Sequence, residues 1–332
     1  MTTRSRLARL ASGHGRLGIL FNPLSGNNRK SGRTLWVALT AVPGAICREA
    51  KTSAELEASL AAFIKDDMDL LIVAGGDGTL QAVIGYLCAN TEPGQWPLLT
   101  VIPGGTTNMT ALDLGLDGKP ATILQRLRES LSGNVSPVLL QRPALRIEQA
   151  GSAPVYGMFF GGGLIARAVK YSRSRIKGLG ITGSFFSVII ALRCLLGFVF
   201  GKSRSNGAWG PAEMSITRED GRVLKGHYLF AVATTLERLI FGMRPYWGQE
   251  PAPVHVTLVE QSRHYSWRKL PQLFSGNARG LDEQQGYHSY NAQSMELIMD
   301  DDYIVDGELY RADSQAGPLR ISATPAITFL IP

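Results

Sequence analysis

The chain has 332 residues, 45% of them hydrophobic and 18% charged, with a formal net charge of +7. That length sets an expectation of about two domains at ~100–200 residues each, and the apolar share excludes an intrinsically disordered chain. The positive balance points to a nucleotide, an acidic lipid surface or a nucleic acid; no aromatic-rich basic RNA motif, zinc finger or helix-turn-helix pattern is present, so nucleic acid is set aside. Cys47, Cys88 and Cys194 are far apart and form no CxxC pair, which excludes a disulfide framework and fits a reducing compartment. The histidines show no HxxxH spacing, so a zinc site is not expected.

In chain order, Arg4, Arg6, Arg9 and Arg16 lie in a stretch without the apolar run of a secretory signal. A frayed basic tail is expected there, with contact to an anionic membrane as the alternative. Leu17 to Asn22 reads as a strand followed by the turn Asn22-Pro-Leu-Ser-Gly26. A helix is predicted from Ser31 to Ala41, a second strand from Gly44 to Glu49, and a capping box, Thr52 and Glu55, ahead of a helix to Ile64.

Asp69 to Ala74 reads as a short buried strand. Gly75, Gly76 and Gly78 then let the backbone turn and approach a ligand, and Thr79 is placed to cap a helix over Leu80 to Ala89. A glycine turn before a helix N-terminus aims backbone N–H groups at an anion. Asp77, within that turn, would repel a bare phosphate but would hold a hydrated Mg²⁺ against one. Leu98 to Ile102 repeats the arrangement: an apolar strand running through Gly104 and Gly105 into Thr106, Thr107 and Asn108. Strands alternating with helices imply a parallel sheet with right-handed crossovers, and two glycine turns close in sequence imply a ligand edge. Ala121 to Leu131 closes this region as a helix.

Gly75-Gly-Asp-Gly-Thr79 resembles the signature shared by diacylglycerol kinases, sphingosine and ceramide kinases, and NAD kinases. The likeness to the diacylglycerol kinase catalytic family extends to the Asn22-Pro-x-Ser-Gly turn and to the end of the chain. It implies a two-domain fold: an N-terminal Rossmann-like parallel α/β domain, an antiparallel β-sandwich, and an active site in the cleft between. The expected bounds are 15–137, 138–317 and a segment 318–332 packing back on the first domain. The resemblance further implies ATP and Mg²⁺ as cofactors. Nucleotide contacts would fall on Asn22, Ser25, Gly26, Thr52, Gly75, Gly76, Gly78, Thr79, Gly104, Gly105, Thr106 and Asn108. For Asn22 and Thr52, a plain turn and a plain helix cap explain the residues as well.

From Val138 onward the pattern changes to β. Ala144 to Glu148, Val155 to Phe160, Met214 to Arg218, Tyr228 to Ala233, Val254 to Val259 and Met295 to Met299 read as strands, several of them alternating. Between them, Ser184 to Phe200 is almost wholly apolar around Arg193 and flanked by Arg173, Arg175, Lys177, Lys202 and Arg204. A core helix and a helix lying in a membrane interface are both open readings, ahead of a true span. Near the end stands Tyr303-Ile-Val-Asp-Gly-Glu308; Asp-Gly is often only a hairpin turn. The resemblance instead turns the acids of this Asp-Gly-Glu, Asp306 and Glu308, toward the cleft; phosphoryl-transfer chemistry then makes Asp77, Asp306 and Glu308 the catalytic set, with Asp77 anchoring the metal, Asp306 orienting the base or joining the metal network, and Glu308 as that base. In the sphingosine branch the central glycine-turn acid is the rival for that part.

Two departures stand out. Where the family has Asn-Glu after the glycine signature, this chain has Gln81 and Ala82, and the family's Gly-Thr-x-Asn-Asp ends in Met109. Asp113 is the nearest acid able to substitute; a surface acid at a helix end is the plainer reading. Together these observations give an ATP-dependent kinase for diacylglycerol or a related lipid, with a ceramide or sphingoid acceptor as the near alternative. NAD kinase, or a catalytically silent lipid- or nucleotide-binding protein, stands in other classes. The expected setting is cytoplasmic, peripheral to an anionic membrane, with a homodimer left open.

Overall fold

The computed structural model describes residues 2–179, 210–261 and 269–332. The chain divides into two compact units, one comprising Met1–Pro143 and Pro325–Pro332, the other Ala144–Thr324. The apolar stretch from Ser184 to Phe200 lies outside the described residues. Among those described, no helix is long and apolar enough to cross a membrane.

The first unit runs α1 (Thr3–Ala11), β1 (Leu17–Phe21), α2 (Asn28–Thr40), β2 (Ala45–Glu49), α3 (Ser53–Lys65), β3 (Leu70–Gly75), α4 (Asp77–Asn90), β4 (Leu98–Pro103), α5 (Met109–Asp113) and α6 (Pro120–Leu131). Its strands lie in the order β2-β1-β3-β4, all parallel, and Phe329 near the chain's end pairs with Leu99 on the far side of β4. β1, β3 and β4 are buried along their whole length and, Thr100 apart, apolar, as a sheet covered on both faces requires. β2, at the edge, is half-exposed and carries polar residues. The registers Phe21↔Ala74 and Gly75↔Pro103 bring the C-terminal ends of β1, β3 and β4 level, so the loops that follow them emerge together.

At the other end of β3, the N-terminal arginines form no frayed tail. Arg9 Nε donates to Asp69 Oδ1 at 2.9 Å and its Nη2 to Asp67 Oδ2 at 3.1 Å, while Arg6 pairs with Asp67 at 3.1 Å. The backbone N–H of Arg16 adds a bond to Asp69 Oδ2 at 2.9 Å. Burial alone would push the Asp67 carboxyl up; Arg9 and Arg6 outweigh it and hold it below its ordinary value. The buried Asp69 carboxylate therefore sets where α1 lies, and Arg6 and Arg9 are spent inside the fold. Sequence periodicity gave no hint of this, because the partners are some sixty positions downstream.

The remaining elements are β5 (Val138–Glu148), β6 (Val155–Gly157), β7 (Phe159–Gly163), α7 (Leu164–Leu179), β8 (Ala212–Arg218), β9 (Val223–Thr234), β10 (Val254–Glu260), α8 (Leu270–Ser275), β11 (Tyr287–Ala292), β12 (Ser294–Ile298), β13 (Asp302–Val305), β14 (Glu308–Arg311) and β15 (Leu319–Ile331). The unit boundaries fall within β5 and β15. Strands of the second unit pair antiparallel in the order β14-β13-β7-β9-β8-β12-β15, with β10 also on β9 and β11 on β10. One core takes side chains from most of them, including Leu145, Phe160, Met214, Tyr228, Val256, Tyr290, Leu297, Val305 and Ile321. A parallel α/β unit and an antiparallel β unit are the fold class the sequence implied. The single strand predicted over Val155 to Phe160 is interrupted at Met158, whose N–H turns to the Asp306 carboxylate. β11 was missed because Tyr287-His-Ser-Tyr-Asn-Ala292 carries polar residues where a strand's apolar pattern was sought.

Candidate active site

Three loops at the level ends of β1, β3 and β4 are stitched into one body. In the first, the Asn22 side chain folds the turn by accepting from the Leu24 N–H at 2.9 Å, and its Nδ2 donates to Thr79 Oγ1 at 2.9 Å. Ser25 Oγ lies 3.3 Å from the same Thr79 oxygen and accepts from the Gly76 N–H at 3.2 Å. Asn27 and Asn28 complete the work. Asn27 Nδ2 donates to the Gly105 carbonyl at 2.7 Å, and both backbone N–H groups go to the Gly104 carbonyl. Asn28, 4% exposed, donates from Nδ2 to the Asn22 carbonyl at 2.8 Å.

The glycines are explained by how close these loops come. A Cβ on Gly26 would lie 2.4 Å from Thr106 Oγ1, one on Gly76 2.8 Å from Gly105 Cα, and one on Gly104 2.5 Å from the Asn28 carboxamide. Gly78 differs: no heavy atom stands within 4 Å of its Cβ position. Packing does not demand a glycine there. The space beside it is open over the first turn of α4, whose cap position, Gly76, supplies no side-chain cap.

The turn differs in detail from the reading of the sequence. α4 begins at Asp77, so Thr79 sits in its first turn as a buried hub and does not cap it. Asp77 is half-buried, and its Oδ1 accepts from the Thr110 N–H at 3.1 Å. It thereby caps α5 from another loop, because Asn108, the cap residue by position, is left-handed at φ 48° and bonds Gly105 instead. Burial pushes the Asp77 carboxyl above its ordinary value, against the downward pull of the Met109, Thr110 and Asn108 N–H groups.

Thr52 stands apart from this body. It caps α3, accepting from the Glu55 N–H at 3.2 Å, but Glu55 reaches back to the Lys51 N–H at 2.7 Å, so the expected box closes one residue early. Asp113 is neither a surface acid nor open to a ligand: its side chain is fully buried and pairs with Arg142 Nε at 3.0 Å. Ala82 is exposed and Gln81 buried, so neither replaces an acid. Among the described residues, no group of three or more His, Cys, Asp or Glu could cage a metal. A single carboxylate still suits Mg²⁺, which keeps its waters and binds through one or two carboxylates together with substrate phosphates. Asp77 fits Mg²⁺ in that form, brought with a nucleotide; an all-protein metal cage has no donor set among the described residues.

In the second unit, Asp306 and Gly307 form the two-residue turn between β13 and β14, at φ 47° and 90°. Both Asp306 oxygens are engaged, accepting from the Met158 and Phe159 N–H groups at 2.9 Å each. The turn is fixed by its own acid. Glu308 projects from it, exposed, and pairs with Arg173 of α7 at 3.1 Å; the same guanidinium donates to the Gly307 carbonyl at 2.7 Å. Arg173, read as part of a basic flank for a membrane, is thus tied to the acid proposed for chemistry. No sequence signal links residues so far apart.

Residues 16–139 match the family model of the diacylglycerol kinase catalytic domain. That segment contains all three stitched loops. A solved structure of a candidate diacylglycerol kinase from Bacillus anthracis str. Sterne is similar at 16% identity, with 94% of each chain covered and a TM-score of 0.62. Another, from the same organism and described as a diacylglycerol kinase, is 17% identical over 96% of this chain and 94% of its own, with a TM-score of 0.58. At such identity these likenesses carry the fold. No curated protein matches the chain in sequence.

Proposed function

We propose that the chain is an ATP-dependent lipid kinase that transfers the γ-phosphate to a hydroxyl of diacylglycerol or a related lipid. The observation that carries this reading is the stitched body of three loops, with Gly78 open beside Asp77 at the start of α4. Phosphoryl transfer needs positioning and charge stabilisation more than covalent chemistry, and a rigid loop body at a helix N-terminus offers both. Asn22, Ser25, Thr79 and Asn108 hold the loops in register. The N-terminal turn of α4, with Gly104, Gly105 and Thr106, lines the phosphates. Asp77 would hold Mg²⁺; when bound, Mg²⁺ and ATP supply the transferable phosphoryl group and its counter-charge. In this proposal Thr52 contacts the nucleotide through the end of α3, Asp306 serves by holding the turn, and Glu308 takes the acceptor's proton.

Met109 bears on the acceptor question. It is buried in the first turn of α5, next to the N–H groups that Asp77 receives, so that position offers no second acid and Asp77 stands alone. The reading is tested by transfer from radiolabelled ATP to diacylglycerol, ceramide, sphingosine, phosphatidylglycerol and NAD. Label on the diacylglycerol arm, lost without Mg²⁺, is the expected result. Label on NAD alone would move the chain to another class, and no label on any arm would leave a silent binding protein.

A further inference from the structure

In the second unit, residues 239–243 form a tight loop between β9 and β10 with an unusual tip. The Leu239 N–H donates to the Met243 carbonyl at 2.8 Å and the Gly242 N–H to the Leu239 carbonyl at 2.9 Å, closing the loop on itself. Phe241 at the tip is left-handed, with φ 58° and ψ 21°, and 67% exposed. A bulky side chain is rarely found there, since its Cβ crowds the backbone; asparagine or glycine would be comfortable. Neither packing nor backbone preference accounts for a phenylalanine. An aromatic ring held in water by a strained backbone points to a use for the ring.

The base of the loop is fixed. Tyr246 Oη donates to the Leu236 carbonyl at 2.7 Å, its ring stacks on His255 at 4.4 Å, and the Arg244 N–H donates to the Phe274 carbonyl at 2.9 Å. Ile240 and Met243 beside the tip are half-buried, and Trp247 and Phe274 at the base pack on a small core around Leu229, Val259 and Tyr287. Arg238 and Arg244 flank the tip and are exposed; Glu237, the one acid among residues 236–248, pairs with Arg244 at 3.4 Å, both side chains half in solvent, so the stretch keeps a net positive charge. Apolar residues at a tip with cations behind them suit the headgroup region of an anionic bilayer, where the ring enters the acyl boundary and the cations stay among the phosphates. A second copy of this chain fits less well, because a symmetric contact would oppose the same arginines.

We propose that the 239–243 loop is a membrane-docking finger, with Phe241 as its inserted tip and Arg238 and Arg244 as its contacts to anionic lipid. The choice of partner rests on the lipid-kinase reading, since the acceptor of such an enzyme lives in a bilayer.

The test uses the full chain and vesicles of phosphatidylcholine, with and without phosphatidylglycerol. Phe241→Asn removes the ring and relieves the strained backbone. It should bind phosphatidylglycerol-containing vesicles about tenfold more weakly than wild type, while its thermal midpoint stays level or rises. Phe241→Trp should keep binding and show a blue-shifted emission increment on vesicles. Arg238→Gln with Arg244→Gln should weaken binding only where phosphatidylglycerol is present. Vesicle binding unchanged in Phe241→Asn would overturn the proposal, as would a wild-type chain that binds no vesicles. So would a dimer, seen by sedimentation, that the substitution dissolves with vesicle binding intact. Phosphate transfer to a dispersed short-chain diacylglycerol separates the two ideas. A docking defect without any transfer activity would sustain the finger and remove the kinase; transfer with no docking effect would do the reverse.

Discussion

Asp77 and Glu308 are marked by the same kind of signal, an acid next to glycine, yet they sit in opposite physical settings. Asp77 is half-buried, its carboxyl pushed up by desolvation, and bonded to the N–H of a helix in another loop. Around it every loop is tied to the next through Asn22, Ser25, Asn27, Asn28 and Thr79. Glu308 is exposed, on a hairpin whose shape is set by its neighbour Asp306, and its partner is one surface arginine. A carboxylate inside a stitched body cannot be moved without disturbing that body. One on a rigid hairpin can be changed alone. The proposed roles differ in the same way: Asp77 as the fixed acid that faces the metal, Glu308 as the acid that takes the acceptor's proton.

Substitutions can break or sharpen that contrast. The largest effect belongs to Glu308→Gln. If Glu308 is the base, transfer to lipid should fall by roughly 10²–10⁴ while ATP affinity and the unfolding midpoint stay near wild type, since an exposed ion pair adds little stability. Single-turnover transfer and calorimetric ATP titration measure the two sides. Transfer at the wild-type rate would return Glu308 to the role of a turn residue and pass the base to Asp77.

A smaller effect, and one of another kind, is expected at Asn28. Asn28→Ala strips buried donors from the Asn22 carbonyl, and should lower stability by about 1–3 kcal/mol. Because the same residue spaces the loops, ATP affinity should fall with it, whereas Glu308→Gln should leave affinity alone. Urea unfolding and ATP titration on the same sample check the pairing. Lost stability with unchanged ATP affinity would mean that the loop body is scaffold only.

What the sequence made legible follows the same line. The parallel strands were readable because β1, β3 and β4 are apolar apart from Thr100, and the glycine loops because glycines and an acid coincide at strand ends. The stitching was not. Asn27 and Asn28 follow directly on the Asn-Pro-x-Ser-Gly turn, and a polar pair at a helix start was the available hint; their partners at Gly104 and Gly105 are set by sheet order, which local pattern does not encode. The Arg9–Asp69, Asp113–Arg142 and Arg173–Glu308 pairs were hidden for the same reason. A charge read along the chain looks solvated until the fold supplies its partner. Thr79 misled in a subtler way: it is a good cap residue, but Gly76 has the extended backbone that a cap position needs and α4 starts early.

The loop body as a phosphate-transfer site is tested most directly at Asp77. Asp77→Asn preserves the shape, and its carboxamide oxygen can still accept from the Thr110 N–H. The raised pKa means that the folded chain holds this proton more tightly than the unfolded one does. The charged form therefore costs stability as pH rises through the folded value, and the neutral variant should unfold at or above the wild-type temperature at pH 7. Mg²⁺-dependent transfer of radiolabelled phosphate to diacylglycerol should nevertheless drop by about 10²–10³ in single-turnover measurements. A folded Asp77→Asn protein that transfers at the wild-type rate, with the same Mg²⁺ dependence, would contradict the assignment of the site.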